Sequence, residues 1–121
     1  MAHIQIIDDE PAVKNLFEKF LRDEGYSVSM AADGREGLRM MKNQKPDLLI
    51  TDIMMPEMDG LEVLQQIRVD FPGLPVIAIS GGMRNGTITF LPIAKKLGAC
   101  CALNKPVKLA ELLRTVQNAL A

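Results

Sequence analysis

Five polar side chains with charged or reactive groups stand at the ends of apolar runs, far apart along the chain. They are Asp8, Asp9, Asp52, Ser80 and Lys105. Mg2+ is typically bound by a few carboxylate oxygens. Its remaining coordination positions are filled by water and by oxygens of a phosphoryl group. A fixed ammonium and a hydroxyl balance the charge on the equatorial oxygens of a phosphoryl group. If these groups converge in the folded chain, they form a phosphoryl site.

Asp52 is the candidate acceptor in such a site. The chain has no Gly-rich phosphate loop of the Walker type, so no bound nucleotide is expected. A carboxylate can itself take a phosphoryl group and become an acyl phosphate. Carboxylates about 4 Å apart repel each other by about 4 kcal/mol per pair at an effective dielectric constant of about 20. A cation must offset this repulsion, or a pKa must rise, and we expect the cation to be Mg2+.

The elements that would bring these residues together follow a regular alternation. Five short apolar runs alternate with helical patterns, which predicts a parallel sheet with helices on both faces. The predicted strands are 3–7, 26–31, 48–52, 76–80 and 100–104. The predicted helices start at Pro11, at Asp33, at Asp59, between Thr89 and Pro92, and near Leu109; the first ends at Gly25, the second at Pro46 and the fourth at Gly98. We predict an α/β fold, a single-domain doubly wound (βα)5 three-layer sandwich over residues 1–121, with the site at the carboxyl ends of the strands.

Composition and charge exclude several classes of protein. The net charge of -1 gives no basic field for nucleic acid or an anionic membrane. No apolar run approaches the roughly 20 residues that cross a bilayer, and the first residues do not resemble a signal peptide, so a cytoplasmic protein is expected. No zinc site is expected, because His3 lies in a core strand and the adjacent Cys100 and Cys101 are interpreted as buried, reduced thiols.

The motifs and their order resemble the receiver domain of response regulators in two-component signalling. The motifs are Ile7-Asp-Asp-Glu-Pro11, Thr51-Asp-Ile-Met-Met-Pro-Glu-Met-Asp-Gly60, Ile79-Ser-Gly81, Leu97-Gly-Ala99 and Asn104-Lys-Pro106. The resemblance extends from His3 to the last helix, and the full set is far more specific than any one motif. It implies a flavodoxin-like fold with the parallel strand order 2-1-3-4-5.

The resemblance also implies a reaction and its residues. Asp52 would accept a phosphoryl group from the phosphohistidine of a sensor histidine kinase or a phosphotransfer protein. Mg2+ would be held by Asp9, Asp52 and the backbone carbonyl of Met54, with Asp8 acting mostly through water. Ser80 would be the hydroxyl that senses the phosphoryl group, and Lys105 the essential cation. The fourth helix, fifth strand and fifth helix would rearrange and contact an output domain or a downstream protein, and homodimerisation on phosphorylation stays open.

Two features depart from the family pattern. Ala102 stands three residues before Lys105, where the family often has an aromatic side chain that reports phosphorylation. The segment between Ser80 and Gly98 is longer than is typical, and the extra residues fall within 82–89. Both features concern the path of the signal from the acceptor to the surface rather than the acceptor chemistry.

Two other functions are kept as alternatives to a phosphorylated switch without a separate substrate. One is a receiver-like scaffold that binds proteins without being phosphorylated, which Ala102 favours and the complete acceptor site disfavours. The other is a Mg2+-dependent aspartyl-phosphate phosphatase of the haloacid dehalogenase type, in which a second acid would occupy the position of Met54. The sequence also leaves open how the signal is passed on. The chain is either a free-standing regulator or a receiver cut from a larger DNA-binding or enzymatic protein.

Overall fold

A parallel sheet of five strands lies at the centre of a computed structural model that describes residues 2–53, 60–80, 96 and 98–121. The strands are β1 (His3–Ile7), β2 (Ser27–Ala31), β3 (Leu48–Asp52), β4 (Val76–Ser80) and β5 (Cys101–Asn104). They lie in the order β2-β1-β3-β4-β5. The predicted α/β class and the flavodoxin-like strand order are confirmed.

Four helices are delimited within the described residues. They are α1 (Pro11–Asp23), α2 (Gly34–Asn43), α3 (Gly60–Asp70) and the C-terminal helix (Leu109–Leu120). None of the helices in this part of the chain is long and apolar enough to cross a membrane. Apart from residues 96 and 98, the predicted helix that ends at Gly98 and the 82–89 segment lie outside the described residues.

Each face of the sheet has its own hydrophobic core. Successive strand residues point to opposite faces, so Ile6 lies in one core and its neighbour Ile7 in the other. The helix residues buried on the Ile6 face are Phe17, Leu21, Leu112 and Val116. Those buried on the Ile7 face are Leu38, Met41, Val63, Leu64 and Ile67. Every residue of β3 and β4 is buried, as expected for strands covered on both faces.

Local signals end and start the helices as the sequence predicts. The Asp33 side chain accepts a hydrogen bond from the Glu36 N–H at 2.8 Å, and Glu36 Oε1 accepts one from the Ala32 N–H at 3.0 Å. This pair of bonds is a variant of the capping box at the start of α2, in which Glu36 reaches the N–H of the residue before the N-cap Asp33. After α1, Gly25 adopts a φ of 98°, the left-handed cap that favours glycine.

A glycine fixes how closely α2 approaches the sheet. Gly37 lies against Ile7, and a Cβ added at Gly37 would collide with two atoms of that side chain. Ile7 is fully buried, so it has little room to move away. A residue without a side chain is therefore required at this contact.

The two cysteines differ from their prediction in burial. Both are free thiols, as predicted. The expected burial was wrong for Cys100, which is exposed, and Cys101 is only half-buried. The reason is that β5 begins at Cys101, so Cys100 lies in the bend before the strand rather than inside the sheet.

Candidate functional site

The carboxyl ends of the strands bring the predicted site residues to one edge of the sheet. Asp8 follows β1, Asp52 ends β3, Ser80 ends β4 and Lys105 follows β5. Backbone bonds continue the ladder into the site: the Asp8 N–H donates to the Ala31 carbonyl at 3.1 Å, and the Lys105 N–H to the Ser80 carbonyl at 2.8 Å. These positions are therefore fixed by the sheet itself.

The Lys105 ammonium lies at the centre of three carboxylates. Its Nζ is 2.8 Å from Glu10 Oε1, 3.0 Å from Asp8 Oδ2 and 3.1 Å from Asp52 Oδ2. The Asp8 and Asp52 side chains are each only 3% exposed and that of Lys105 is 11% exposed, whereas that of Glu10 is 57% exposed. The cluster thus holds three acids and one cation, a surplus of two negative charges when all are ionised.

The acids of this cluster are a candidate metal site. Among the described residues, one oxygen from each of Asp8, Glu10 and Asp52 lies within 4.8 Å of the other two. Asp9 is half-buried and is not a member of this group. Met54 lies outside the described residues, so its carbonyl ligand and the role of Asp9 stay predictions.

Glu10 is the member of the cluster that the sequence reasoning missed. In the sequence it belongs to the motif Ile7–Pro11, and in the structure it is the N-cap residue of α1, with Pro11 following it. Its side chain makes no capping hydrogen bond and instead contacts Lys105. The only signal in the sequence was an acid placed immediately after Asp8 and Asp9.

Burial and charge shift two pKa values in the cluster. Burial raises the pKa of Asp8 above its usual 3.8, although the Glu10 N–H and the Lys105 ammonium act in the opposite direction. Burial alone would lower the pKa of Lys105, but the hydrogen bond to Glu10 and the charge of Asp52 outweigh it and raise that pKa. Lys105 is therefore held firmly as a cation, while burial makes Asp8 harder to ionise than a free aspartate.

Ser80 contributes a hydroxyl without a partner. Its side chain is 1% exposed, and its Oγ has no hydrogen-bond partner in the described part of the chain. Buried hydroxyls are nearly always hydrogen-bonded, so an unpaired one at a strand end indicates a position where a ligand could bind.

The predicted departure at Ala102 lies in β5, where Ala102 pairs with Ala78 of β4 and is half-buried.

An apolar groove borders the acid cluster on one side. It has a volume of about 380 Å³ and lies between the start of α1 and the chain after β5. Its lining residues are Glu10, Val13, Leu16, Phe17, Lys105, Pro106 and Val107. Leu16 is 50% exposed there, one of two large exposed hydrophobic side chains among the described residues.

Three known proteins resemble this chain over nearly its whole length. The curated protein "Transcriptional regulatory protein GlrR" of Escherichia coli is 38% identical over 119 residues, which cover 98% of this chain and 26% of GlrR. "Response regulator MprA" of Mycobacterium avium is 37% identical over 110 residues, 91% of this chain and 47% of MprA. The crystal structure of Vibrio cholerae chemotaxis protein CheY4 superposes with a TM-score of 0.89 at 30% identity and covers 99% of both chains.

A family comparison agrees with these relatives and with the predicted resemblance. The chain spans only about a quarter to a half of the curated relatives, so they share with it one part of their length. The family described as "Response regulator receiver domain" matches residues 4–117, nearly the whole chain. The chain therefore belongs to the response regulator receiver domains of two-component systems.

Proposed function

We propose that this receiver domain accepts a phosphoryl group on Asp52 from the phosphohistidine of a sensor histidine kinase or a phosphotransfer protein. The observation that carries the proposal is the buried Asp52 carboxylate, 3.1 Å from the Lys105 ammonium at the end of β3. Such a pair combines a nucleophile with the cation needed to neutralise an incoming phosphoryl group. The domain then acts as a switch and has no separate substrate.

The donor set fits Mg2+. All three clustered acids offer oxygen, the atom that Mg2+ prefers, and one lysine leaves their charge unbalanced. Asp9, Asp52 and the carbonyl of Met54 would hold the ion, as the resemblance implies, with Asp8 acting mostly through water. When bound, Mg2+ supplies positive charge to the acceptor and to the phosphoryl oxygens.

The chain's own residues perform the remaining tasks of the transfer. An oxygen of Asp52 forms the new O–P bond while the P–N bond to the donor histidine breaks, and that electron pair returns to the imidazole. Lys105 offsets the charge on the phosphoryl oxygens. The buried Ser80 hydroxyl, which has no hydrogen-bond partner among the described residues, would donate a hydrogen bond to one of them.

A mass measurement tests the acceptor. The protein is incubated with acetyl phosphate and Mg2+, and the gain of one phosphoryl group is expected. Asp52→Asn removes the gain, whereas Asp23→Asn, an exposed aspartate at the end of α1, keeps it. An unaltered chain that takes up no phosphoryl group would favour the scaffold function. Multiple turnover of unrelated phosphate monoesters would instead favour the aspartyl-phosphate phosphatase.

We also propose that the phosphodonor protein contacts the apolar groove beside Lys105. The groove borders the reacting groups and exposes Leu16, which an incoming apolar surface would cover. Leu16→Ser should slow phosphorylation by a phosphohistidine donor protein that phosphorylates the unaltered chain, and should leave phosphorylation by acetyl phosphate unchanged. Val69→Ser, on an exposed side chain of α3 outside the groove, is the matched control. Equal effects of Leu16→Ser on both donors would contradict this contact.

Phosphorylation should be read by another protein or domain. GlrR is named a transcriptional regulatory protein, and its matched part is about a quarter of its length. We infer that this receiver likewise serves an output domain or a downstream protein, through β5, the C-terminal helix and the predicted helix that ends at Gly98. A cytoplasmic kinase domain as donor would place the reaction in the cytoplasm.

A further inference from the structure

The Lys105 ammonium has no free donor in the structure. An ammonium carries three N–H groups, and three carboxylates lie within 3.1 Å of Lys105 Nζ: Asp8, Glu10 and Asp52. In the proposed reaction Lys105 must also bind an oxygen of the phosphoryl group. One of the three carboxylates must then give up its contact.

The three contacts differ in what their loss would cost. The Asp8 and Asp52 carboxylates are 3% exposed, so water cannot take the place of the ammonium there, and only the metal or the phosphoryl group could offset its loss. Glu10 makes the shortest contact, 2.8 Å, but its side chain is 57% exposed. A buried charge that loses its partner is costly, whereas an exposed ion pair is worth roughly 0.2–1 kcal/mol because water solvates its members. Glu10 is therefore the carboxylate that releases Lys105 most easily.

The backbone of Glu10 is fixed while its side chain is not needed elsewhere. The Glu10 N–H donates to Asp8 Oδ1 at 2.8 Å, and Pro11 begins α1 immediately after it. The side chain makes no capping hydrogen bond to the helix. The carboxylate can thus leave Lys105 by rotation of its own torsions, with the start of α1 in place.

We propose that Glu10 is a latch on Lys105, a positioning residue that holds the ammonium before phosphorylation and yields it to the phosphoryl group. The inference rests on the proposed phosphorylation of Asp52. It adds that the phosphoryl group and the Glu10 carboxylate compete for the Lys105 ammonium. A phosphodonor must displace the Glu10 carboxylate from Lys105, so Glu10 weakens the apparent affinity for the donor. Once displaced, the carboxylate lies free at the edge of the apolar groove.

The kinetics of phosphorylation by acetyl phosphate test the latch. In Glu10→Gln, the acetyl phosphate concentration that gives half of the maximal rate should fall roughly two- to fivefold, the size of one exposed ion pair, with the maximal rate unchanged. Glu10→Asp keeps the charge but shortens the side chain by about 1.5 Å, one carbon–carbon bond, and should behave like Glu10→Gln. Glu24→Gln, which removes an exposed charge at the end of α1, should behave like the unaltered chain.

A second readout needs neither metal nor phosphodonor. In the metal-free protein, the nuclear magnetic resonance signal of the Lys105 ammonium should shift in Glu10→Gln and Glu10→Asp and stay in place in Glu24→Gln. If Glu10 only supported the start of α1, the Lys105 signal would be the same in the Glu10 variants and in Glu24→Gln.

The outcomes separate the latch from the proposed function. Phosphorylation of the unaltered chain with no change in Glu10→Gln overturns the latch alone. A Glu10→Asp variant that matches the unaltered chain overturns it as well, because charge and not contact would then matter. A slower maximal rate in both variants makes Glu10 a helper of phosphoryl transfer instead of a latch. Failure of the unaltered chain to take up a phosphoryl group overturns both proposals.

Discussion

Replacement of Lys105 by methionine should strongly destabilise the protein at neutral pH. The change keeps a long side chain but removes the cation that lies among three carboxylates. Two of these acids are almost fully buried, so water cannot replace the ammonium. Lys105→Met therefore removes the cation that offsets the buried negative charges of Asp8 and Asp52.

The distances set the size of the effect. At an effective dielectric constant of about 20, each contact between Lys105 and a buried acid near 3 Å corresponds to about 5 kcal/mol of attraction. The acids lie within 4.8 Å of one another, so each pair repels by at least about 3.5 kcal/mol on the same scale. Desolvation of the ions cancels much of the attraction, and loss of one partner of a buried pair costs about 3–5 kcal/mol. We expect a loss of this size in the free energy of unfolding at pH 7.

The loss should depend on pH and on magnesium. Without Lys105, which acts to lower the pKa of Asp8, the folded pKa of Asp8 rises further above its unfolded value of 3.8. Stability is then lost as pH rises from about 4, so the deficit should be small at pH 4 and largest at pH 7. Mg2+ should recover part of it, because it supplies positive charge to the same oxygens.

Urea unfolding followed by far-UV circular dichroism measures this deficit, since the chain has one Tyr and no Trp for fluorescence. Lys19→Met, at an exposed site on α1, is the control and should change stability by less than about 0.5 kcal/mol. A Lys105→Met deficit that is equal at pH 4 and pH 7, or one below about 1 kcal/mol, would refute the electrostatic reasoning.

Three further predictions concern single residues. Burial raises the pKa of Asp8, so in metal-free buffer the folded state binds its proton more tightly than the unfolded state, and stability should fall as pH rises above 3.8. Asp8→Asn should flatten this slope in urea titrations from pH 4 to 7, and an unchanged slope would contradict the assignment. Ser80→Ala should raise the free energy of unfolding by about 1 kcal/mol, because it removes a buried hydroxyl without a partner in the described residues; a loss of stability would mean that the hydroxyl is already paired. Gly37→Ala should lower it by about 1–3 kcal/mol, since the collision with Ile7 outweighs the better helix propensity of alanine. Adding Ile7→Val should restore part of that loss, and strictly additive effects would argue against the contact.

The fold was predictable because its signals are local and repeated. The strands around Leu49 and Ile77 are continuous apolar runs, as burial on both faces requires. Pro11, Asp33 and Gly25 mark helix ends through their own backbone chemistry. The exposure of Cys100 was not predictable, because a one-residue shift in the start of a strand leaves almost no trace in the sequence.

The site was predictable only in part, for a related reason. Asp52 and Lys105 meet because the carboxyl ends of parallel strands lie at one edge of the sheet. This rule concerns the backbone alone, so it can be applied to a sequence before any side-chain position is known. The contact between Glu10 and Lys105 depends on the torsions of a long side chain at the first residue before a helix. Consecutive acids point in different directions, so adjacency alone could not tell which of Asp9 and Glu10 contacts the ammonium.

The backbone bond from the Lys105 N–H to the Ser80 carbonyl joins the two groups that would read the phosphoryl group. Ser80 is in register with Asn104, and this bond adds one more rung to the β4–β5 ladder. Any main-chain displacement of Ser80 that keeps the rung carries Lys105 with it. The main chains that carry the hydroxyl and the ammonium are thus coupled through the sheet, so a shift of β4 at Ser80 would reposition both groups relative to the acceptor on β3.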